Sequence, residues 1–230
     1  MSRLLATLIA CCLALALASC GDDGGDEQAA TPAPTEAATE APAETPAANE
    51  FLPEGCEDVE APAPKEKLSA SKTYVATVST TCGDFKITLD AKQAPITGGS
   101  FKYLADEKFY DGLNFHRIVA DFVVQGGDPT GSGNGGPGYS VEEAPPSDLK
   151  YTPGIVAMAK TQDEAPGTSG SQFFVVTGEG AASLTPDYAL VGEVTEGMEV
   201  VDKIGAIQAD QNTGMPAAPV IIKSVTVEES

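Results

Sequence analysis

The 230-residue chain has no tryptophan, one histidine (His116), five cysteines, and thirteen basic residues against thirty-four acids, a formal net charge of −21. Each scarcity closes off a class of function. So acidic a chain offers no basic face for nucleic acid. A zinc site built from several histidines is excluded, and a cysteine cluster would have to be assembled from few parts. No internal period stands out, which argues against a solenoid or propeller. Apolar material is ample: 42% hydrophobic residues can form a real core, and the length permits one or two domains.

The chain starts with an address. Met1-Ser2-Arg3 carries the early positive charge, and Leu4–Ala18 is apolar except for Thr7. That run falls short of the roughly 18–20 residues needed to cross a bilayer as a helix. A charged start, a short apolar stretch and small residues at its end make a secretory signal peptide over residues 1–19. Leu17-Ala18-Ser19-Cys20 resembles the bacterial lipobox. That resemblance implies that cleavage leaves Cys20 as an acylated N-terminus, anchoring the chain stably through several acyl chains. The alternative is a plain signal peptide with an incidental cysteine.

Residues 20–68 read as a spacer. Asp22–Pro64 contains no Lys or Arg and one aromatic residue, Phe51, and twelve acids lie between Asp22 and Glu60. Such a stretch cannot bury enough apolar surface to offset its ordering entropy. Its charges repel and its prolines favour extended backbone, as suits a tether, although tolerated disorder would read the same. With the leader gone and Cys20 acylated, Cys56 and Cys82 remain as an even pair in an oxidising setting. They can close a disulfide worth roughly 3–4 kcal/mol in the chain-entropy model, or stay as two separate thiols.

Residues 69–230 read as one β-rich domain. Thr73–Thr80 and Asp84–Leu89 alternate as strands, with Cys82-Gly83 as a tight turn between them. Pro95 followed by Phe101, Leu104 and Ala105 predicts a short helix whose start is weakened by Gly98-Gly99. Further strands are predicted at Asn114–Val119, Phe122–Gln125, Gly154–Ala159, Gln172–Thr177, Ala189–Val194 and Pro219–Val227. Met198, Val201 and Ile204 mark a second helix. Eight strands and two helices in this length predict a mainly β fold, a closed eight-stranded antiparallel barrel capped by two α-helices.

Several side chains invite chemistry. Gly131–Gly136 satisfies G-x-G-x-x-G, but Pro137-Gly138 opposes the helix that a dinucleotide site requires. The segment is instead a glycine loop able to turn sharply or pass close to a ligand. His116 lacks a nucleophile-elbow partner and reads as a hydrogen-bonded structural residue. Asp128 without clustered partners reads as a turn or cap residue. Arg117 is more informative, because Arg3 is the other arginine and leaves with the leader. A guanidinium amid Phe115, Ile118, Phe122 and Val123 reads as a donor aimed at a substrate polar group beside an apolar pocket. The alternative is a surface ion pair, which Lys would make equally well.

Two long segments, Phe115–Asp128 (FHRIVADFVVQGGD) and Gly170–Phe174 (GSQFF), resemble the cyclophilin family of peptidyl-prolyl isomerases. Gly133–Gly138, Val156–Ala159 and Leu184–Val194 support the resemblance, which runs from about Ser71 to the end. It implies proline-containing polypeptides as substrates, no cofactor or metal, and a capped barrel. It further implies catalytic roles for Arg117, Phe122, Gln125 and Phe174. Val123, Gly133, Ala159, Lys160, Gln172, Leu184 and Tyr188 would bind the substrate. Val123 stands where the family commonly has Met, Lys160 where it has Asn, Ser183 where many eukaryotic members have Trp, and Tyr188 where they have His. The expected protein is a monomeric foldase for exported polypeptides, lipid-anchored on the outer face of a bacterial cell membrane. The alternative is a proline-peptide-binding module or chaperone with little turnover.

Overall fold

The computed structural model describes residues 63–230. The leader, Cys20, Cys56 and the spacer through residue 62 lie outside the described residues. Period-two alternation sets the first two strands. Tyr74, Ala76, Val78 and Thr80 are buried along β1 (Tyr74–Thr80), and Phe85, Ile87 and Leu89 along β2 (Gly83–Leu89). Thr80 pairs directly with Gly83, so the turn residues are Thr81-Cys82, one position earlier than expected. The Thr80 hydroxyl braces this turn by donating to the Gly83 carbonyl at 2.7 Å and accepting from the Cys82 N–H at 3.0 Å.

The remaining strands are β3 (Arg117–Val119), β4 (Val123–Gly126), β5 (Val141–Glu142), β6 (Ile155–Met158), β7 (Thr168–Ser169), β8 (Phe173–Val176), β9 (Leu190–Glu196) and β10 (Ile222–Glu229). Eight of them form one antiparallel sheet in the order β10-β1-β2-β9-β6-β8-β4-β3. All eight coincide with predicted strands. β5 and β7 form a separate ribbon whose two-residue strands are too short to show an alternating pattern.

The closed barrel expected from the strand count is a curled sheet with a seam. No ladder joins its edges, β10 and β3. The predicted strand Asn114–Val119 breaks at His116: its first part faces β10 and its second pairs with β4. An isolated Asn114–Ile221 bridge crosses the seam, flanked by the Phe115 N–H to Val220 carbonyl bond (2.9 Å) and the Ile222 N–H to Leu113 carbonyl bond (2.7 Å).

Among the described residues two α-helices complete the fold, α1 (Pro95–Asp106) and α2 (Met198–Gly205). Pro95 occupies the first turn of α1, where its missing N–H is harmless. The adjacent free N–H groups of Ile96 and Thr97 donate to the Glu143 carboxylate at 3.1 and 2.8 Å. A remote acid thus caps the helix and opposes its dipole. Gly98 and Gly99 serve close packing. A Cβ on Gly98 would lie 2.5 Å from Leu68 Cδ1, and one on Gly99 2.5 Å from the Glu66 carbonyl. The chain before β1 therefore crosses α1 as a strap. Leu68 is buried against the core, and its N–H donates to Pro95 at 3.0 Å.

Leu68→Ala should lower folding stability by about 2–4 kcal/mol, the usual loss when a buried leucine leaves a partly unfilled site. Denaturant unfolding measures this, and an unchanged midpoint would show that the strap adds nothing.

Candidate active site

Register builds the site. Across neighbouring strands Arg117 pairs with Gln125, Gln125 with Phe174, and Phe174 with Ala157. Directly opposed residues share a sheet face, so these four form a row across β3, β4, β8 and β6. Val123 and Val176 extend the same face, two residues along their strands. The opposite face carries Ile118, Val124, Phe173, Val175, Val156 and Met158, which belong to the main core. The residues of the row's face, Val123, Phe174, Val176 and Ala157, belong to a second apolar cluster with Tyr151 and Ala181. β8 is buried along its whole length because both of its faces are covered.

Phe122, Ala159, Leu184 and Tyr188 pack against this second cluster. Phe122 follows a tight turn in which Asp121 adopts φ 56. Leu184 ends a 3-10 turn, Glu179–Ser183. The Tyr188 ring stands edge-on to Phe174, with centroids 5.5 Å apart. Tyr151 pins that segment by accepting from the Tyr188 N–H at 3.0 Å and donating to the Tyr188 carbonyl at 2.8 Å. Burial pushes the Tyr151 hydroxyl up to about 12, against the opposing pull of the hydrogen bond to the Tyr188 backbone.

Polar groups line the other flank. Arg117 Nη1 donates to Gln125 Oε1 at 3.3 Å, and Gln125 Nε2 donates to Gln172 Oε1 at 3.0 Å. Gln172 Nε2 donates to the carbonyls of Gly133 (3.0 Å) and Gly135 (2.9 Å). The ion pairs among the described residues join Lys72 to Glu229, Lys86 to Glu196 and Lys102 to Asp106. Arg117 is in none of them, so no surface ion pair holds it among the described residues. Its stem lies against Gly214, where a Cβ would sit 2.8 Å from Arg117 Cγ, and the Gly214 carbonyl accepts from the Ile118 N–H at 2.7 Å.

A groove of about 550 Å³ continues from the row, lined by Gln125, Gly133, Pro137, Lys160, Glu164 and Gln172 among others. Lys160 does not reach across it. Its ammonium donates to the carbonyls of Thr161 (3.0 Å) and Glu164 (3.1 Å) and lies 5.7 Å from the centre of the Tyr188 ring. The Ala159 N–H is bonded to the Gln172 carbonyl at 2.8 Å. Among the described residues no three His, Cys, Asp or Glu side chains converge on a metal-sized site.

The structure thus brings together Arg117, Phe122, Val123, Gln125, Gly133, Ala159, Lys160, Gln172, Phe174, Leu184 and Tyr188. Cys82 is apart from them, in the β1–β2 turn. Sequence reasoning missed Tyr151 and Gly214, whose local patterns carry no signal, and it understated Asp128, which is fully buried. His116 differs from expectation as well: neither buried ring nitrogen has a protein hydrogen-bond partner among the described residues. Burial lowers its pKa, the Asp128 charge opposes that shift, and Arg117 adds to it.

Known proteins carry the same architecture. The family model of the cyclophilin type peptidyl-prolyl cis-trans isomerases matches residues 75–227. Peptidyl-prolyl cis-trans isomerase A of Mycobacterium tuberculosis is 38% identical over 173 residues, 67% of this chain and 92% of that protein. Peptidyl-prolyl cis-trans isomerase B of Streptomyces anulatus is 39% identical over 171 residues, covering 66% and 95%. A Cryptosporidium parvum cyclophilin type peptidyl-prolyl cis-trans isomerase superposes with TM-score 0.62 at 31% identity, covering 68% of this chain and 98% of that one. The same cyclophilin, solved in the presence of the dipeptide Ala-Pro, gives TM-score 0.62 at 30% identity, covering 67% and 98%. The chain belongs to the cyclophilin-type peptidyl-prolyl cis-trans isomerase family. Its activity is accordingly the interconversion of cis and trans prolyl bonds.

The depressed pKa of His116 sets an acid limit. The unfolded chain takes up a proton at about pH 6.5, whereas the folded state resists until lower pH. Stability is therefore full above that range and falls as pH drops through it. Urea unfolding between about pH 7.5 and 5 should show this slope, and His116→Gln should flatten it. An unaltered slope in the variant would exclude His116 as its source.

Proposed function

We propose that Arg117 accelerates prolyl rotation by hydrogen-bonding the prolyl nitrogen in the twisted state. The barrier to rotation is the partial double bond of the amide, roughly 18–20 kcal/mol. Twisting breaks resonance and returns a lone pair to nitrogen, and a donor aimed there favours the transition state over either ground state. No covalent step is needed. Phe122, Val123, Phe174, Leu184 and Tyr188 would hold the pyrrolidine ring and exclude water, which strengthens the donation. Gln125 orients the guanidinium and can meet the carbonyl side. Gly133 would lie beside the substrate, Gln172 would supply a polar contact to the pocket, and Ala159 and Lys160 would hold the backbone upstream of proline. Ala159 would offer its carbonyl, its N–H being bonded, and Lys160 its backbone.

The observation carrying this reading is a guanidinium with no carboxylate partner among the described residues, in one cross-strand row with Phe174 beside an apolar cluster. A carboxylate there would hold the charge in the ground state. Arg117→Ala should cost about a hundredfold or more in turnover, the scale for losing one preorganised donor, while the domain stays folded and peptide affinity changes little. Prolyl-peptide exchange by NMR measures both quantities. Near-wild-type exchange defeats the assignment. Lost affinity with little intrinsic turnover supports the binding-module alternative.

We further propose that the enzyme works on exported polypeptides from a lipid anchor at Cys20, the acidic spacer holding it off the membrane. The leader pattern and the extreme charge of residues 22–60 support this reading. Cys20→Ala should shift the protein from the membrane to the soluble fraction of cells. Continued membrane association would refute the anchor.

A further inference from the structure

We infer that Asp128 is a positioning residue for Arg117, acting through the glycine loop and two glutamines. This inference rests on the proposed role of Arg117. Asp128 follows β4 and is fully buried. One carboxylate oxygen accepts from the Thr130 N–H at 2.7 Å and the Thr130 hydroxyl at 2.8 Å. The other accepts from the N–H groups of Gly133 and Gly135, the latter at 3.2 Å. Four donors from one loop thus converge on one side chain, and charge-assisted bonds of this kind are the strong ones. The loop wraps so tightly that a Cβ on Gly135 would lie 2.1 Å from the carboxylate, and Gly133 sits at φ +88. The glycines let the backbone close around the acid.

The two glycines that donate to Asp128 through N–H accept from Gln172 through C=O. A carbonyl can only accept, so Gln172 must present its NH2 to them and its oxygen to Gln125. Gln125 must then present its NH2 to Gln172 and its oxygen outward. Arginine can only donate, and it meets that oxygen. The chain from Asp128 to Arg117 therefore has one consistent polarity, fixed at both ends by groups that cannot reverse roles. A loosened loop would free Gln172 to flip, and a flipped Gln125 would turn an NH2 toward the guanidinium. The buried acid sets the orientation of a side chain it never touches.

Asp128→Asn replaces one acceptor oxygen with an NH2 facing the loop's own donors. It should lower kcat by about tenfold or more, the order expected for a misplaced catalytic group, with KM changed less than kcat. The Gln125 side-chain amide signal should shift in the substrate-free protein. Gln172→Ala cuts the same chain without touching the buried carboxylate and should shift that signal too. In the Gln172→Ala background, Asp128→Asn should cost little further kcat, because residues acting in one path are not additive. Equal losses in both backgrounds, or a loss that tracks the unfolded fraction, would assign Asp128 to folding alone and overturn the inference. Should Asp128→Asn not fold, an unmoved Gln125 signal in Gln172→Ala overturns it equally. The amide signal reads the relay whatever Arg117→Ala does to the rate, so the two readings fail separately.

Discussion

The site depends on a positive charge held beside apolar side chains by neutral groups. Arg117 is gripped by an amide oxygen at 3.3 Å, with its stem against Gly214, and no carboxylate shares its charge among the described residues. An ion pair would have been the simpler way to steady a guanidinium, but it would also have quenched it. Amide partners orient a charge and leave most of its field available to a substrate. A bound substrate that displaced water from beside the guanidinium would feel that field through a lower effective dielectric than in bulk solvent.

The fold serves this arrangement through pleat and register. Alternate residues of β4 and β8 supply two apolar clusters, one inside the curled sheet and one on its outer face. The inner cluster anchors the strands in the core. The outer cluster, with Tyr151 inside it and Leu184 and Tyr188 packed on it, lies on that base. Strands β3 and β4 carry Arg117 and Gln125 of the polar flank, loops carry Gln172 and the glycine carbonyls, and glycines let backbone approach backbone. The same device recurs at Gly98-Gly99, where the strap crosses α1.

Much of the fold was legible in the sequence because alternation and helical spacing are local signals. All eight sheet strands and both helices fall where those patterns put them. What was not legible is set by contacts distant in sequence. Glu143 caps α1 from more than forty residues away. β5 and β7 gain their identity by pairing with each other. The seam replaces a closed ladder because the chain turns at His116. Within the site, Arg117 drew notice as an arginine among lysines beside Phe122 and Val123, whereas Gln125, Gln172, Phe174, Leu184 and Tyr188 were suggested by family resemblance. Asp128 looked like an ordinary turn residue, since burial and convergence of donors leave no trace in composition. His116 was expected to be hydrogen-bonded and instead has no protein partner among the described residues.

The most direct measurement is a crystal structure of the domain with a short Xaa-Pro peptide bound. The account predicts the pyrrolidine ring against Phe122, Phe174 and Tyr188, with an Arg117 nitrogen about 3 Å from the prolyl nitrogen, a normal donor distance. A peptide seated elsewhere, or an Arg117 side chain turned to solvent while the proline fills the pocket, would contradict it.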